Sequence, residues 1–168
     1  MRLILLAFLS VSPAASAEGT VAFFGLHMAD TSRQTTVQST LVPEDLAPGD
    51  LARLEVIEAM AAQRFLSEGY TLLDLAPVSA DLDRVVNPAQ CYGCDTRMAA
   101  KLGAQFILVG EVTKVSEALL ALNLQLRDGQ TGEIVKAGAV DIRGNTDDTW
   151  TRGMRYILNN RIFREAKQ

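Results

Sequence analysis

Residues 89–103 read AQCYGCDTRMAAKLG, and Cys91 and Cys94 are the two cysteines of the 168-residue chain. Two cysteines at this spacing can form a redox dithiol, supply half of a zinc site, attach a haem or close a small structural loop. Haem attachment needs a histidine directly after the second cysteine. Asp95 stands there, and the one histidine is His27. A structural zinc site needs four ligands, usually two cysteine pairs or a pair with two histidines, and the sequence holds neither set. A redox dithiol is favoured where a cysteine opens a helix, because the helix dipole and free amides stabilise the thiolate. Cys94 precedes a short helical stretch, but the Asp95 carboxylate beside it opposes a thiolate. The residues therefore read first as a disulfide loop, with thiol redox chemistry as the alternative. Closing so short a loop contributes less than the ~3 kcal/mol of a 15-residue loop, so its value is local shape.

Pairing depends on compartment. The N-terminus MRLILLAFLSVSPAASA carries Arg2, an apolar run from Leu3 to Val11, Pro13, and small residues around Ser16. This reads as a secretory signal peptide, residues 1–17, cleaved after about Ala17. The run is short of the ~20 apolar residues of a membrane-spanning helix, so no integral membrane segment is expected in the mature chain. The expected location is the periplasm, where exported cysteines pair. Residues 18–168, 151 in number, suit a single domain. Their 15 basic and 20 acidic residues give −5, which supplies no pull on nucleic acid. Arg152, Arg155, Arg161, Arg164 and Lys167 read as the solvated face of a last helix.

Two further groups of residues are candidates for binding. Asp30, Thr31 and Ser32 follow the first apolar run, at a strand end where α/β sheets place ligands. Asp141 to Trp150 holds Arg143, Asn145, Asp147 and Trp150, enough for a cation or a polar ligand. The same residues can cap a helix and place Trp150 in the core, and their spacing does not match a calcium loop. Glu111 and Lys114 read as a surface pair. No nucleophile elbow, glycine-rich phosphate loop or metalloprotease helix is present. No catalytic residue, metal or cofactor is expected, and the chain reads as a non-enzymatic protein.

The elements that must position these residues follow from periodicity. VAFFGL at 21–26 predicts a strand covered on both faces. Residues 29–50 lack periodicity and predict a long loop. Asp50 is expected to cap a helix with Leu51, Leu54, Ile57, Ala61 and Phe65 inward. Tyr70 to Leu75 predicts a strand, Pro77 to Val85 a helical turn, Asp95 to Gly103 a helix, and Phe106 to Gly110 another strand. Alternation over 118–127, turn residues at 128–132 and Ile134 to Ile142 predict a β-hairpin. Asn145 or Thr146 is expected to cap the last helix, with Trp150, Met154, Ile157, Leu158 and Ile162 inward. The fold class is α/β: a single-domain two-layer sandwich with a mixed sheet of about five strands ending in an antiparallel hairpin.

The segments AAKLGAQFILVGEVTKVS, LQLRDGQTGEIVKAGAVDIRGNTDDTW and RGMRYILNN, with DTS at 30–32 and CYGCD at 91–95, resemble an exported bacterial family, domain of unknown function 3280 or its relative 2380. The resemblance covers the mature chain and carries no activity. A helix ending in LGA, a strand ending in VGE and a hairpin with a TG turn are more distantly similar to the N-terminal domain of TolB and the periplasmic domain of CsgG. That similarity implies a TolB N-terminal-like fold and a habit of binding partner proteins. The combined expectation is an interaction or accessory module of a cell-envelope system, docking an envelope protein of unknown identity. Its working surface would join the 29–50 loop, the Cys91 to Asp95 loop and the Arg143 to Trp150 junction, if one sheet edge gathers them. A thiol-disulfide redox protein and a small-ligand-binding protein are the alternatives.

Overall fold

The computed structural model describes residues 18–31, 39–41 and 46–164. The expected signal peptide, residues 1–17, and Ser32 lie outside them. The α/β sandwich is built on a mixed sheet. Its strands are β1 (Gly19–Asp30), β2 (Ser39–Leu41), β3 (Tyr70–Leu72), β4 (Phe106–Ser116), β5 (Leu119–Asp128) and β6 (Ile134–Arg143). The order across the sheet is β2, β1, β4, β5, β6, and β3 pairs with the start of β1 on the side where β2 pairs with its end. β1 is parallel to β3 and β4, whereas β4, β5 and β6 form an antiparallel meander. The first strand is twice as long as VAFFGL, and part of the expected 29–50 loop is sheet: β1 runs to Asp30 and β2 returns against Met28 to Asp30.

Two helices cover one face. α1 (Pro48–Ser67) follows β2, and α4 (Asp147–Ile157) closes the chain with a π-helical turn at Leu158–Ile162. Leu54, Ile57, Ala61 and Phe65 of α1 and Trp150, Met154 and Ile157 of α4 meet Leu120, Leu122, Leu124 and Leu126 of β5 in the main core. The alternation in β5 is the sequence cause: its even positions from 120 to 126 are all leucine and fully buried. At the far end Phe65, Tyr70, Phe106 and Phe163 form a chain of tilted and edge-on rings 4.8 to 6.2 Å apart. The opposite face is covered over part of its area by α2 (Ser79–Leu82), α3 (Cys94–Leu102) and the turns beside them, which bury Ala22, Phe24, Ile107 and Val109.

β1 supplies both cores, and a bulge lets it. Val21 and Phe23 face α1 and α4, while Ala22 and Phe24 face α3. Strict alternation would then send Leu26 and Met28 to the α3 side. Three steps along β1 from Phe23 to Leu26 instead span two along β4 from Leu108 to Gly110, which turns Leu26 and Met28 back to the main core. Gly25 makes this turn at φ +86°, and the amide of Leu26 donates to Glu58 Oε2 of α1 at 3.2 Å. Opposite the bulge, a side chain at Gly110 would stand 2.2 Å from Leu26 Cδ2, so the strand closes only over a bare backbone. A Cβ at Gly25 meets nothing closer than 3.5 Å, and the conformation alone opposes it. Gly25→Ala should therefore lower stability by about 1–2 kcal/mol in urea unfolding with an unchanged m-value.

Candidate functional site

The residues singled out from sequence fall into two groups on different parts of the fold. The first lies at the end of the sheet where β1 and β4 finish and α1 and α4 begin. Asp50 was expected as a helix cap, but Ala47 occupies that position and Asp50 sits in the first turn, 4 % exposed. Its Oδ2 accepts from Lys114 Nζ at 3.1 Å, and its Oδ1 accepts from Arg53 Nη1 at 3.0 Å and Asn145 Nδ2 at 2.8 Å. Asn145 Oδ1 in turn accepts from the indole of the fully buried Trp150 at 2.9 Å. Thr146 is the cap of α4, in a reciprocal box with Thr149, which frees Asn145 for this bridge. Arg53 Nε reaches Asp147 Oδ1 at 2.8 Å, and Lys114 also pairs with Glu117.

The same network holds the end of β1. Thr31 donates to the carbonyl of Lys114 from its amide and its hydroxyl, at 2.8 and 3.1 Å, and Asp30 is in register with Lys114. Arg143 ends β6 exposed to solvent. Glu111 and Lys114 cannot be the surface pair expected of them, because an odd separation in β4 sends them to opposite faces. Lys114 goes to Asp50 in the helical layer, and Glu111 accepts from Asn87 and Gln90 on the other side.

Burial pushes the Asp50 carboxyl up, but hydrogen bonds from Asn145 and Lys114 and the charges of Lys114 and Arg53 outweigh it and hold the group below its ordinary value. Burial likewise pulls Lys114 down, and its bonds to Glu117 and Asp50 hold it above the usual lysine value. A depressed carboxyl stabilises the fold above the unfolded value of 3.8 and loses that contribution as pH falls through the lower folded value. This arrangement is a clamp.

The second group is the disulfide loop. Cys91 and Cys94 are bonded, with Cα atoms 5.5 Å apart. Asn87 caps the turn at Pro88–Gln90 by accepting from the amide of Ala89, and Cys94 is the first residue of α3. Between the cysteines Tyr92 takes φ +49° and stands fully exposed. Asp95, expected to repel a thiolate, is 3 % exposed, and its Oδ2 accepts from Arg127 Nη1 at 2.7 Å. Arg127 further donates to the Ala89 carbonyl at 2.9 Å and to Gln125, fixing the loop to β5. A cleft of about 430 Å³ opens here, lined among others by Gln90, Tyr92, Asp95, Arg127 and Thr131.

The two groups do not form one surface. Arg127 pairs with Ile107 near the start of β4, whereas Lys114 lies near its end. The structure joins Thr31 with Asn145, Asp147 and Trp150 through Lys114 and Asp50, and leaves Cys91, Cys94 and Asp95 apart from them. His27 lies on the α3 side, half-buried, its Nε2 3.1 Å from the Phe24 carbonyl, and burial lowers its pKa. Among the described residues no three His, Cys, Asp or Glu side chains are placed to hold a metal ion, and no helix is long and apolar enough to cross a membrane.

The family model DUF3280, described as "Protein of unknown function (DUF2380)", matches residues 19–162. The C-terminal domain of LpoB from Salmonella enterica is similar in structure, with a TM-score of 0.52 at 15 % identity over 79 % of this chain and 87 % of that one. The lipoprotein GNA1162 from Neisseria meningitidis gives 0.49 at 12 % identity over 77 % and 83 %. The LpoB C-terminal domain from Escherichia coli gives 0.47 at 16 % over 78 % and 87 %. At these identities the likeness to LpoB is one of fold. A search of curated proteins finds no match.

The clamp can be tested through stability. Lys114→Met leaves the Asp50 carboxylate buried with one cation fewer and should cost about 3 kcal/mol at pH 7 in urea unfolding. Asp50→Asn should flatten the decline in stability that the wild-type protein shows as pH falls below about 4.

Proposed function

The chain belongs to the DUF3280 family, and we propose that as a member of it the protein is an exported, non-enzymatic interaction module of the bacterial cell envelope, docking an envelope partner through the disulfide loop. The observation that carries this reading is Tyr92. An aromatic side chain is fully exposed on a residue with positive φ, a conformation that non-glycine residues rarely adopt, and the Cys91–Cys94 bond brackets it. Exposed aromatics held rigid beside a cleft supply contact area at little ordering cost, which is how interface anchors work. The Asp95–Arg127 pair and the Arg127 bond to Ala89 hold the base of the loop in the same way. Periplasmic residence is supported by the signal-like residues 1–17 and by the paired cysteines.

Two other readings stay attached to particular residues. Cys94 opens α3 and Cys91 is half-buried, the placement a redox dithiol would use. Asp30, Thr31 and Arg143, with Asn145 and Asp147, mark the strand ends where a small ligand would bind.

A photo-reactive phenylalanine analogue in place of Tyr92 should cross-link in intact cells to a discrete envelope protein, and the same analogue at exposed Ile134 should not. Uniform, weak labelling at both positions would count against docking by this loop. The redox reading is separated by the Cys91–Cys94 reduction potential: a structural bond lies below about −300 mV, and a value near −200 mV would transfer the function to thiol exchange.

A further inference from the structure

We propose that the outer edge of β6 is a docking edge, to which an extended acidic peptide segment of another protein adds as an antiparallel strand. The inference is independent of the disulfide loop. β6 ends the sheet, with β5 on one side of it and no strand on the other. The phase of the ladder decides which of its main-chain groups are committed. Gly129 donates to the Gln105 carbonyl at 2.8 Å, so odd residues of β5 bond to β4. Gly144 donates to the Ala118 carbonyl at 2.9 Å, so even residues of β6 bond to even residues of β5. Residues along an antiparallel strand alternate between its two neighbours, which leaves the N–H and C=O groups of Ala137, Ala139 and Asp141 turned outward. A row of donors and acceptors at this spacing is the complement of an extended backbone.

An exposed edge of this length is ordinarily blunted by a proline or a bulge. From Lys136 to Arg143 the register with β5 is unbroken, no proline interrupts it, and its centre is Ala137, Gly138 and Ala139. The one irregularity falls at Val135 and leaves Ile134 outside the edge. The two sides of the edge differ in charge. α4 stands over β6, so that a side chain at Gly138 would come within 2.6 Å of Ile157 Cγ2, and one at Gly153 within 2.7 Å of Ile142 Cγ2. On this side the stem of Arg161 lies beside Gly138, its guanidinium sits 5.7 Å from the Tyr156 ring, and Lys136 Nζ sits 5.7 Å from the Phe163 ring. Among the described residues neither cation has a carboxylate partner. On the other side Asp141 is exposed. Acidic side chains therefore suit the α4 side of an added strand, and uncharged ones the side of Asp141. A second copy of β6 fits less well, because it would bring its own α4 and the same cations to the same side.

The probe is a ten-residue peptide of alternating glutamate and valine, added to the purified exported protein with its disulfide intact. Its Kd should lie below about 1 mM. Binding should slow amide exchange at Ala137, Ala139 and Asp141, whereas Gly138 and Val140, already bonded to β5, should be slow throughout. Residues opposed in an antiparallel pair share a face, so the valines carry the pairing groups. N-methylation of the valines should weaken binding roughly tenfold or more, and N-methylation of the glutamates should leave it within about twofold. Arg161→Gln should weaken it about threefold, and Arg155→Gln, also exposed on α4, should not. Absence of binding at about 2 mM, protection of other amides instead, or equal effects of the two methylated peptides would overturn the proposal. So would protection at residues 137, 139 and 141 in the free protein that fades on dilution, which would give the edge to a second copy.

Discussion

One buried carboxylate holds the helical layer in place. Taking Asp50 out of water is costly, and the charge is tolerated because Lys114, Arg53 and Asn145 surround it with donors. Those three residues come from β4, from α1 itself and from the start of α4. Through Asn145 the network reaches Trp150, and through the Lys114 carbonyl it reaches Thr31 at the end of β1. Shift any of these elements by one residue and a buried charge loses its partner, whereas the leucines of β5 would accept many sliding arrangements. At the other end of the same layer Phe65, Tyr70 and Phe163 close the gap with rings, and Arg64 and Lys136 lie over Phe163. Position is thus set by charge at one end and by packing at the other.

The opposite face is built differently. α2 and α3 are short, and the chain between them has little apolar surface to bury, so it is held by specific polar bonds. Asn87 and Gln90 reach Glu111, Arg127 reaches Asp95 and the Ala89 carbonyl, and the disulfide fixes the tip. Each is a local constraint, and together they carry Tyr92 outward above the small core that Cys94 and Ala89 join. A loop so constrained presents one conformation to a partner, and association with it forfeits little conformational freedom.

Much of the architecture was legible in residue types. The leucines at every second position of β5, the turn residues at 128–132 and the inward stripe of α4 specify their elements through period alone, and Gly103 does end α3. The extra length of β1 was not legible, because HMAD after the bulge breaks alternation by one residue, and a phase change looks like the end of a strand. β2 is too short for any period. The polar clamp was half visible: Asp50 stood out as a helix cap, and Asn145 as a cap or a ligand-binding residue. Nothing local says that residues 50, 114 and 145 meet, since that contact is set by the parallel β1–β4 pairing and by how α1 and α4 cross the sheet. Arg127 escaped notice for the same reason, and its alternation with leucines marked only that it leaves the leucine face.

The bulge in β1 divides one strand into two with opposite rules of sidedness. Before Gly25, odd-numbered side chains belong to the broad helical side, and after it even-numbered ones do. Excising that single residue would restore regular alternation, with Phe24 and Leu26 on opposite faces and Leu26 and Met28 still turned to the leucine interior, whereas straightening the strand with the residue in place would turn both over to the sparsely roofed side. Gain or loss of this one position thus leaves the polarity of everything up to β2 unchanged and alters only the local bend of the strand.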